Sequence, residues 1–98
     1  RMGWRHGFHV RALRFATGAA CPRHVRTEEE VLLAHAGRLR VDFDGGSLEM
    51  GPGDTLTVPK GAVRAYACVG DAPALVYVVR GGDAPAAPQW LAPLERAG

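Results

Sequence analysis

Cysteine is scarce in this chain of 98 residues, which has only Cys21 and Cys68 and contains no CxxC pair. Two cysteines are too few for a disulfide scaffold, so we expect two reduced thiols. No apolar stretch is long enough to span a membrane, and no signal-peptide pattern is visible. The sequence therefore predicts a cytoplasmic protein that has no membrane partner.

The chain also lacks an excess of either charge. Twelve Lys and Arg residues are nearly balanced by ten Asp and Glu residues, which leaves a net charge of +2. Eleven of the twelve basic residues are arginine, but no basic run exceeds two residues. Nucleic-acid binding is usually marked by a clustered basic stripe, so we expect no nucleic-acid partner.

Short β-prone segments alternate with glycine- and proline-containing turns along most of the chain. Strands are predicted for residues 8–15, 38–43, 47–50, 55–58, 63–69 and 75–79. Thr27 and Glu30 form a capping-box pattern that would begin a helix. Gly37 ends that segment early, however, and we favour strands on both sides of this glycine. Many short strands with turns between them indicate an all-β sandwich or barrel.

The composition shifts to Gly, Pro and Ala from Gly81 onward. We therefore divide the chain into a barrel over residues 1–80 and a tail over residues 81–98 that packs on the barrel. Trp90 and Leu91 are expected to pin this tail, with a short helix to Arg96 as one option. Trp4 and Trp90 are interpreted as packing anchors, with ligand stacking as the alternative.

Two spaced motifs carry the most specific signal. Gly18, His24, Arg26, Glu30 and Gly37 have the spacing of the first motif of the cupin family, G(x)5HxH(x)3–4E(x)6G. One ligand position departs from the motif, because Arg26 stands where the second histidine belongs.

A second motif follows in the right order. Gly53, Pro59, Gly61, Arg64 and Cys68 have the spacing of G(x)5PxG(x)2H(x)3N, with arginine in place of histidine and cysteine in place of asparagine. The chain thus resembles a small, single-domain bacterial cupin. The resemblance implies an antiparallel jelly-roll barrel, also described as a double-stranded β-helix, and it implies a homodimer. It does not fix an activity, because cupins include enzymes, sugar-binding regulatory domains and storage proteins.

The resemblance also implies a metal site that this chain has partly lost. Metal-binding cupins use three histidines and one glutamate, of which His24 and Glu30 remain here by position. Two protein ligands are fewer than the usual three, and arginine is a permanent cation without a lone pair. Two positive unit charges about 4 Å apart repel each other by about 4 kcal/mol at an effective dielectric of ~20, so inward-pointing arginines would oppose a bound cation. We therefore expect no metal cofactor. The alternative is Fe, Mn, Ni or Zn on His24 and Glu30, with His9 or His6 as a third ligand.

Inward-pointing guanidiniums suit an anion, because their planar fork matches a carboxylate or a phosphate. The sequence predicts a pocket for a small acidic molecule, lined by His24, Arg26, Glu30, Arg64, Tyr66 and Cys68. The last three alternate and therefore share one strand face. His35 is out of phase with Glu30 and should face away. Cys68 is interpreted as an apolar filler, with a thiol activated by Arg64 as the alternative. Within the run Glu28–Glu30, only Glu30 is expected to point inward.

Three functions remain open at this point, and whether the chain is an enzyme is among the open questions. The first is a metal-independent module that binds or senses a small organic anion, and Arg64 is its expected anchor. The second is a metal-dependent dioxygenase, isomerase or lyase. The third is a structural barrel without a ligand. In that barrel Glu30 closes a salt bridge with Arg26 or Arg64, or the arginines turn outward.

Overall fold

The computed structural model describes residues 8–81 and 87–91, which form strands and turns and contain no helix. The strands are β1 (Phe8–Phe15), β2 (Ala20–Val25), β3 (Glu30–Ala36), β4 (Arg38–Phe43), β5 (Gly46–Met50), β6 (Thr55–Val58), β7 (Arg64–Val69), β8 (Ala74–Gly81) and β9 (Gln89–Trp90). Among the described residues no helix is long and apolar enough to cross a membrane.

The strands form two antiparallel sheets. The first sheet has the order β1-β8-β3-β6, and the second sheet has the order β5-β4-β7-β2-β9. Neighbours in each sheet are mostly distant in sequence, since the chain passes repeatedly from one sheet to the other. This arrangement confirms the predicted all-β jelly-roll barrel.

The core lies between the sheets, where alternate residues of each strand point inward. On β8 the residues Ala74, Val76 and Val78 are buried, and the intervening Tyr77 is exposed. The buried core cluster comprises Leu32, Ala34, Leu39, Val41, Met50, Val58, Tyr66, Val76 and Val78. Each large aliphatic side chain in this cluster contributes about 1.5–3 kcal/mol through burial.

Gly37 lies between β3 and β4, and the capping-box segment before it forms β3, which pairs with both β6 and β8 instead of forming a helix. The φ of Gly37 is +75°, and a Cβ at this position would lie 2.3 Å from the Pro73 carbonyl oxygen. The residue therefore separates β3 from β4 in a conformation and a space that only glycine fits. The predicted strands on both sides of Gly37 are confirmed.

Two strands were not predicted. The alternation of β2 is interrupted by an irregularity between Cys21 and His24 in its pairing with β7, which hides the strand from a period-two pattern. Strand β9 has only two residues and pairs with β2, and the Leu91 amide donates to the Arg23 carbonyl at 3.0 Å. These hydrogen bonds attach residues 89–91 to the barrel, while Trp90 itself is 56% exposed. The suggested helix to Arg96 and the expected anchor Trp4 lie outside the described residues.

Candidate functional site

Glu30 is the centre of a buried polar cluster at one end of the barrel. It begins β3, and its side chain has no exposed surface. The Tyr66 hydroxyl donates to Glu30 Oε1 at 2.7 Å, and Arg80 Nε donates to Oε2 at 2.5 Å. The pairing of β3 with β8 places Glu30 and Arg80 opposite each other, so both side chains lie on the same sheet face.

Two further arginines surround the same carboxylate. Arg26 Nε lies 3.7 Å from Glu30 Oε2, and Arg64 Nη1 lies 3.7 Å from Oε1. Arg26 Nε also contacts Glu28 Oε1 at 2.5 Å. Arg64 Nη2 donates to the Pro59 carbonyl at 3.0 Å. Its Nε and Nη1 atoms are buried and have no hydrogen-bond partner in the described part of the chain.

This environment keeps Glu30 ionised. Burial by itself raises the pKa of Glu30, but the hydrogen bonds from Tyr66 and Arg80 and the charges of Arg80 and Arg64 outweigh it. The net result is a lowered pKa. Burial and the neighbouring carboxylate raise the pKa of Tyr66 well above its ordinary value. Tyr66 therefore remains a hydroxyl donor to an anionic acceptor at neutral pH.

His24 lies beside this cluster in its neutral form. Its Nδ1 is 2.8 Å from the Pro22 carbonyl oxygen, which can only accept, so the proton of the neutral ring is on Nδ1. Burial lowers the pKa of His24, and the positive charges of Arg64 and Arg26 act in the same direction. The Pro22 hydrogen bond and Glu30 oppose the shift without reversing it. The ring centroid lies 5.7 Å from that of Tyr66 and 5.0 Å from that of Trp90.

A cavity of about 570 Å³ lies next to the cluster, where the β1 edge of the first sheet faces the β2 and β9 edge of the second sheet. Three of its described lining residues are arginines, and no described lining residue is Asp or Glu. The described lining consists of His9, Arg11, Leu13, Phe15, Cys21, His24, Arg26, Tyr66, Arg80, Ala87, Pro88 and Trp90.

The six residues predicted from the sequence divide into three groups. His24, Arg26 and Tyr66 line the cavity. Glu30 and Arg64 have 0% exposure and lie behind that lining. Cys68 lies elsewhere, with its Sγ 3.3 Å from the Ala72 carbonyl oxygen. Four residues of β7, or about 13 Å, separate Cys68 from Arg64, so the shared strand face does not bring Cys68 to the cavity.

Side-chain exposure contradicts two further expectations from the sequence and agrees with a third. The outward orientation of the arginines is contradicted, since Arg26 is 7% exposed and Arg64 is fully buried. Glu28 was expected to be solvated, but its side chain is only 14% exposed because it pairs with Arg26. His35 is exposed and faces away from the cavity, as its phase on β3 predicts. His6 lies outside the described residues.

Arg80 and Arg11 are the charged lining residues that were not predicted from the sequence, and Leu13, Phe15 and Cys21 also line the cavity without having been predicted. A signal for each arginine was present in the strand patterns. Arg80 continues the inward alternation of Val76 and Val78 on β8, and Arg11 shares the alternation of His9, Leu13 and Phe15 on β1. Following each alternation to the end of its strand would have placed both arginines on the inner face.

The described residues do not fit a divalent metal ion. Both oxygens of Glu30 accept hydrogen bonds, and Nδ1 of His24 donates to a carbonyl. Arg26, Arg64 and Arg80 place three positive charges around the carboxylate that would bind the ion. No group of three or more His, Cys, Asp or Glu residues able to hold a metal occurs within residues 8–81 and 87–91.

Two facing antiparallel sheets with a polar cluster at one end define a jelly-roll barrel that could hold a small molecule. The sequence model of the cupin domain family matches residues 12–80. The chain therefore belongs to the cupin family.

Solved structures agree with this assignment. The cupin domain of Schizosaccharomyces pombe Cnp3 superposes with a TM-score of 0.72 at 17% identity, covering 78% of this chain and 53% of that one. The polyketide cyclase RemF from Streptomyces resistomycificus gives 0.78 at 17% identity, with coverages of 90% and 63%. An oxalate oxidase in complex with the substrate analogue glycolate gives 0.74 at 24% identity, with coverages of 82% and 44%.

This chain spans between 44% and 63% of the length of those three proteins. No curated protein matches the chain. The TM-scores show a shared fold at identities below 25%. Two of the three proteins are named as different enzymes, a polyketide cyclase and an oxalate oxidase, so the fold alone does not assign an activity.

Proposed function

We propose that this chain is a metal-independent module that binds or senses a small organic anion. The observation that carries the proposal is the cavity beside Glu30, whose described lining contains Arg11, Arg26 and Arg80 and no carboxylate. Cavities of a few hundred Å³ with a few convergent polar groups are typical small-molecule sites.

The local charge balance supports an anionic ligand. Glu30 is surrounded by three arginines, and Glu28 contacts one of these. Together with Arg11, the region has four guanidiniums against two carboxylates, which leaves a formal excess of two positive charges. A concave site with one sign of charge and low-dielectric walls concentrates ligands of the opposite sign.

Arg11 is the residue that we assign as the contact for the ligand. Arg64, the anchor expected from the sequence, is enclosed and directed toward the Pro59 carbonyl and Glu30. The Nε of Arg80 is engaged by Glu30. Arg11 lines the cavity, is exposed, and has no ion pair with any residue in the described ranges. It can therefore reach a ligand without disturbing the buried cluster.

Isothermal titration calorimetry with small carboxylates tests this assignment. Arg11→Ala should weaken binding by about 10- to 150-fold, because one hydrogen bond to a charged group contributes about 1.5–3 kcal/mol. Arg14→Ala is the matched control, since Arg14 lies on the same strand but on the opposite face. Equal losses in the two variants, or the absence of binding by every carboxylate, would contradict the proposal.

Elemental analysis tests the metal-independent part separately. Protein purified without a histidine tag should contain no stoichiometric Fe, Mn, Ni or Zn, and chelation should leave carboxylate binding unchanged. Binding that disappears on chelation and returns with one of these metals would favour the metal-dependent alternative.

A further inference from the structure

The inner face of β1 gives the cavity two chemically different ends. His9, Arg11, Leu13 and Phe15 all line the cavity, and they follow one another as two basic and then two apolar residues. Because residues two apart in a strand lie about 6.8 Å apart on the same face, this order converts directly into distance. The wall is basic near His9 and apolar near Phe15, about 20 Å away along the strand.

The neighbouring strand repeats the same polarity. In the register of β1 with β8, His9 lies opposite Arg80, which also lines the cavity. Leu13 lies opposite Val76, which is 1% exposed. Since directly opposed residues share one sheet face, two adjacent strands of the first sheet become apolar in the same direction.

The second sheet contributes to the basic end of the cavity. Arg26 lies there, because its Nε is 3.7 Å from the same Glu30 oxygen that Arg80 contacts. Cys21 lies on the same side, since its Sγ is 3.9 Å from Nδ1 of His24, which itself lies beside the charged cluster. The apolar end is therefore formed by Leu13 and Phe15 of β1.

We infer that the ligand is an amphipathic organic acid, with its anionic head at Arg11 and Arg80 and its apolar body along Leu13 and Phe15. This assignment rests on the proposed function and narrows it to one class of anion. A compact polar anion would use the basic end only. An acid with an apolar body would also remove the Leu13 and Phe15 surfaces from water, which gains affinity in proportion to the area covered.

Calorimetric titration of the wild-type chain with straight-chain monocarboxylates tests the inference. From acetate through butyrate and hexanoate to octanoate the charge is constant and the tail grows. Each added methylene should tighten binding by about fourfold until the apolar end is filled, which corresponds to about 0.8 kcal/mol per methylene. Hexanol and octanol keep the tail and remove the charge, so they should bind far more weakly than the acids of equal length.

Two variants locate the tail. Leu13→Ala should reduce the increase in affinity per methylene and leave acetate binding unchanged. Leu56→Ala is the matched control, because Leu56 also packs against the core and does not line the cavity. The control should retain the full chain-length dependence. Should Leu13→Ala fail to fold, the wild-type series with its alcohol controls decides the question alone.

The outcomes separate this inference from the proposal on which it rests. If succinate or inorganic phosphate binds as tightly as octanoate, or if tail length has no effect, the amphipathic assignment is wrong and the anion site stands. If no acid binds at all, both fail. If the alcohols bind as tightly as the acids, the cavity is apolar in function, and both the anionic head and the anion site are refuted.

Discussion

Replacing Glu30 with glutamine should destabilise the barrel far more than the loss of one ordinary ion pair. The substitution keeps the shape of the side chain but removes a negative charge that contacts Arg80 and lies within 4 Å of both Arg26 and Arg64, a position that no other carboxylate of residues 8–81 and 87–91 occupies. Removing one partner of a buried pair typically costs about 3–5 kcal/mol, because the remaining charge stays buried. Small domains have a total stability of about 5–15 kcal/mol.

The matched control is Glu49→Gln. Glu49 pairs with Arg38 at 3.1 Å, but the two side chains are 51% and 53% exposed, and such surface pairs contribute about 0–1 kcal/mol. In urea unfolding followed by circular dichroism, the midpoint of Glu30→Gln should lie below that of wild type by on the order of 2 M. The control should change by less than about 0.5 M.

The acid limb of the stability curve gives a second measurement. Because the pKa of Glu30 is lowered in the folded state from 4.5, its contribution is complete above about pH 4.5. The contribution is lost as the pH falls through the folded-state value. The difference between wild type and Glu30→Gln should therefore shrink on acidification. Should Glu30→Gln fail to fold, Tyr66→Phe removes one hydrogen bond to the carboxylate and should cost about 1.5–3 kcal/mol. A Glu30→Gln midpoint equal to that of the surface control would refute the account of the cluster.

Three other outcomes follow from the structure. Arg64→Met should change the unfolding free energy by less than about 1 kcal/mol or raise it, since two of its buried nitrogens lack hydrogen-bond partners and its ion pair with Glu30 is long, at 3.7 Å. Arg80→Met should cost about 3–5 kcal/mol, since Arg80 contacts Glu30 directly, and equal losses in urea unfolding would contradict this ranking. Nuclear magnetic resonance titration should place the pKa of His24 below 6.5, so the contribution of this ring to stability falls as the pH drops below 6.5; a value at or above 6.5 would refute its burial as a neutral ring. Gly37→Ala should cost about 1–3 kcal/mol more than Gly18→Ala, since both glycines have positive φ but only a Cβ at position 37 meets backbone atoms; similar melting temperatures would show that this contact relaxes.

Much of the barrel could be predicted because the required information is local. Turn residues and period-two alternation mark β1, β4 and β6 without any knowledge of their partners. The motif spacing likewise identified Glu30 and Arg64, and both side chains are buried. Strand β2 was not predicted because its alternation is interrupted. Strand β9 was not predicted because two residues are too few to show a period.

The partners of Glu30 could not be predicted because they depend on strand register. Arg80 is fifty residues away in sequence, and only the pairing of β3 with β8 makes the two neighbours. Cys68 shows that a shared strand face does not by itself place a residue in the same site. It shares a strand face with Arg64 and Tyr66, but distance along the strand removes it from the cavity. The homodimer, the cytoplasmic location and the division at residue 81 remain predictions.

Strand β9 joins the cavity to the tail of the chain. Trp90 forms part of the cavity wall, yet it belongs to a strand of only two residues at the outer edge of the second sheet. A molecule that packs on Trp90 would therefore also stabilise the attachment of residues 89–91 to β2. By thermodynamic linkage, this attachment would strengthen binding of the molecule by the same coupling free energy. Binding in the cavity and attachment of this segment are thus two coupled equilibria.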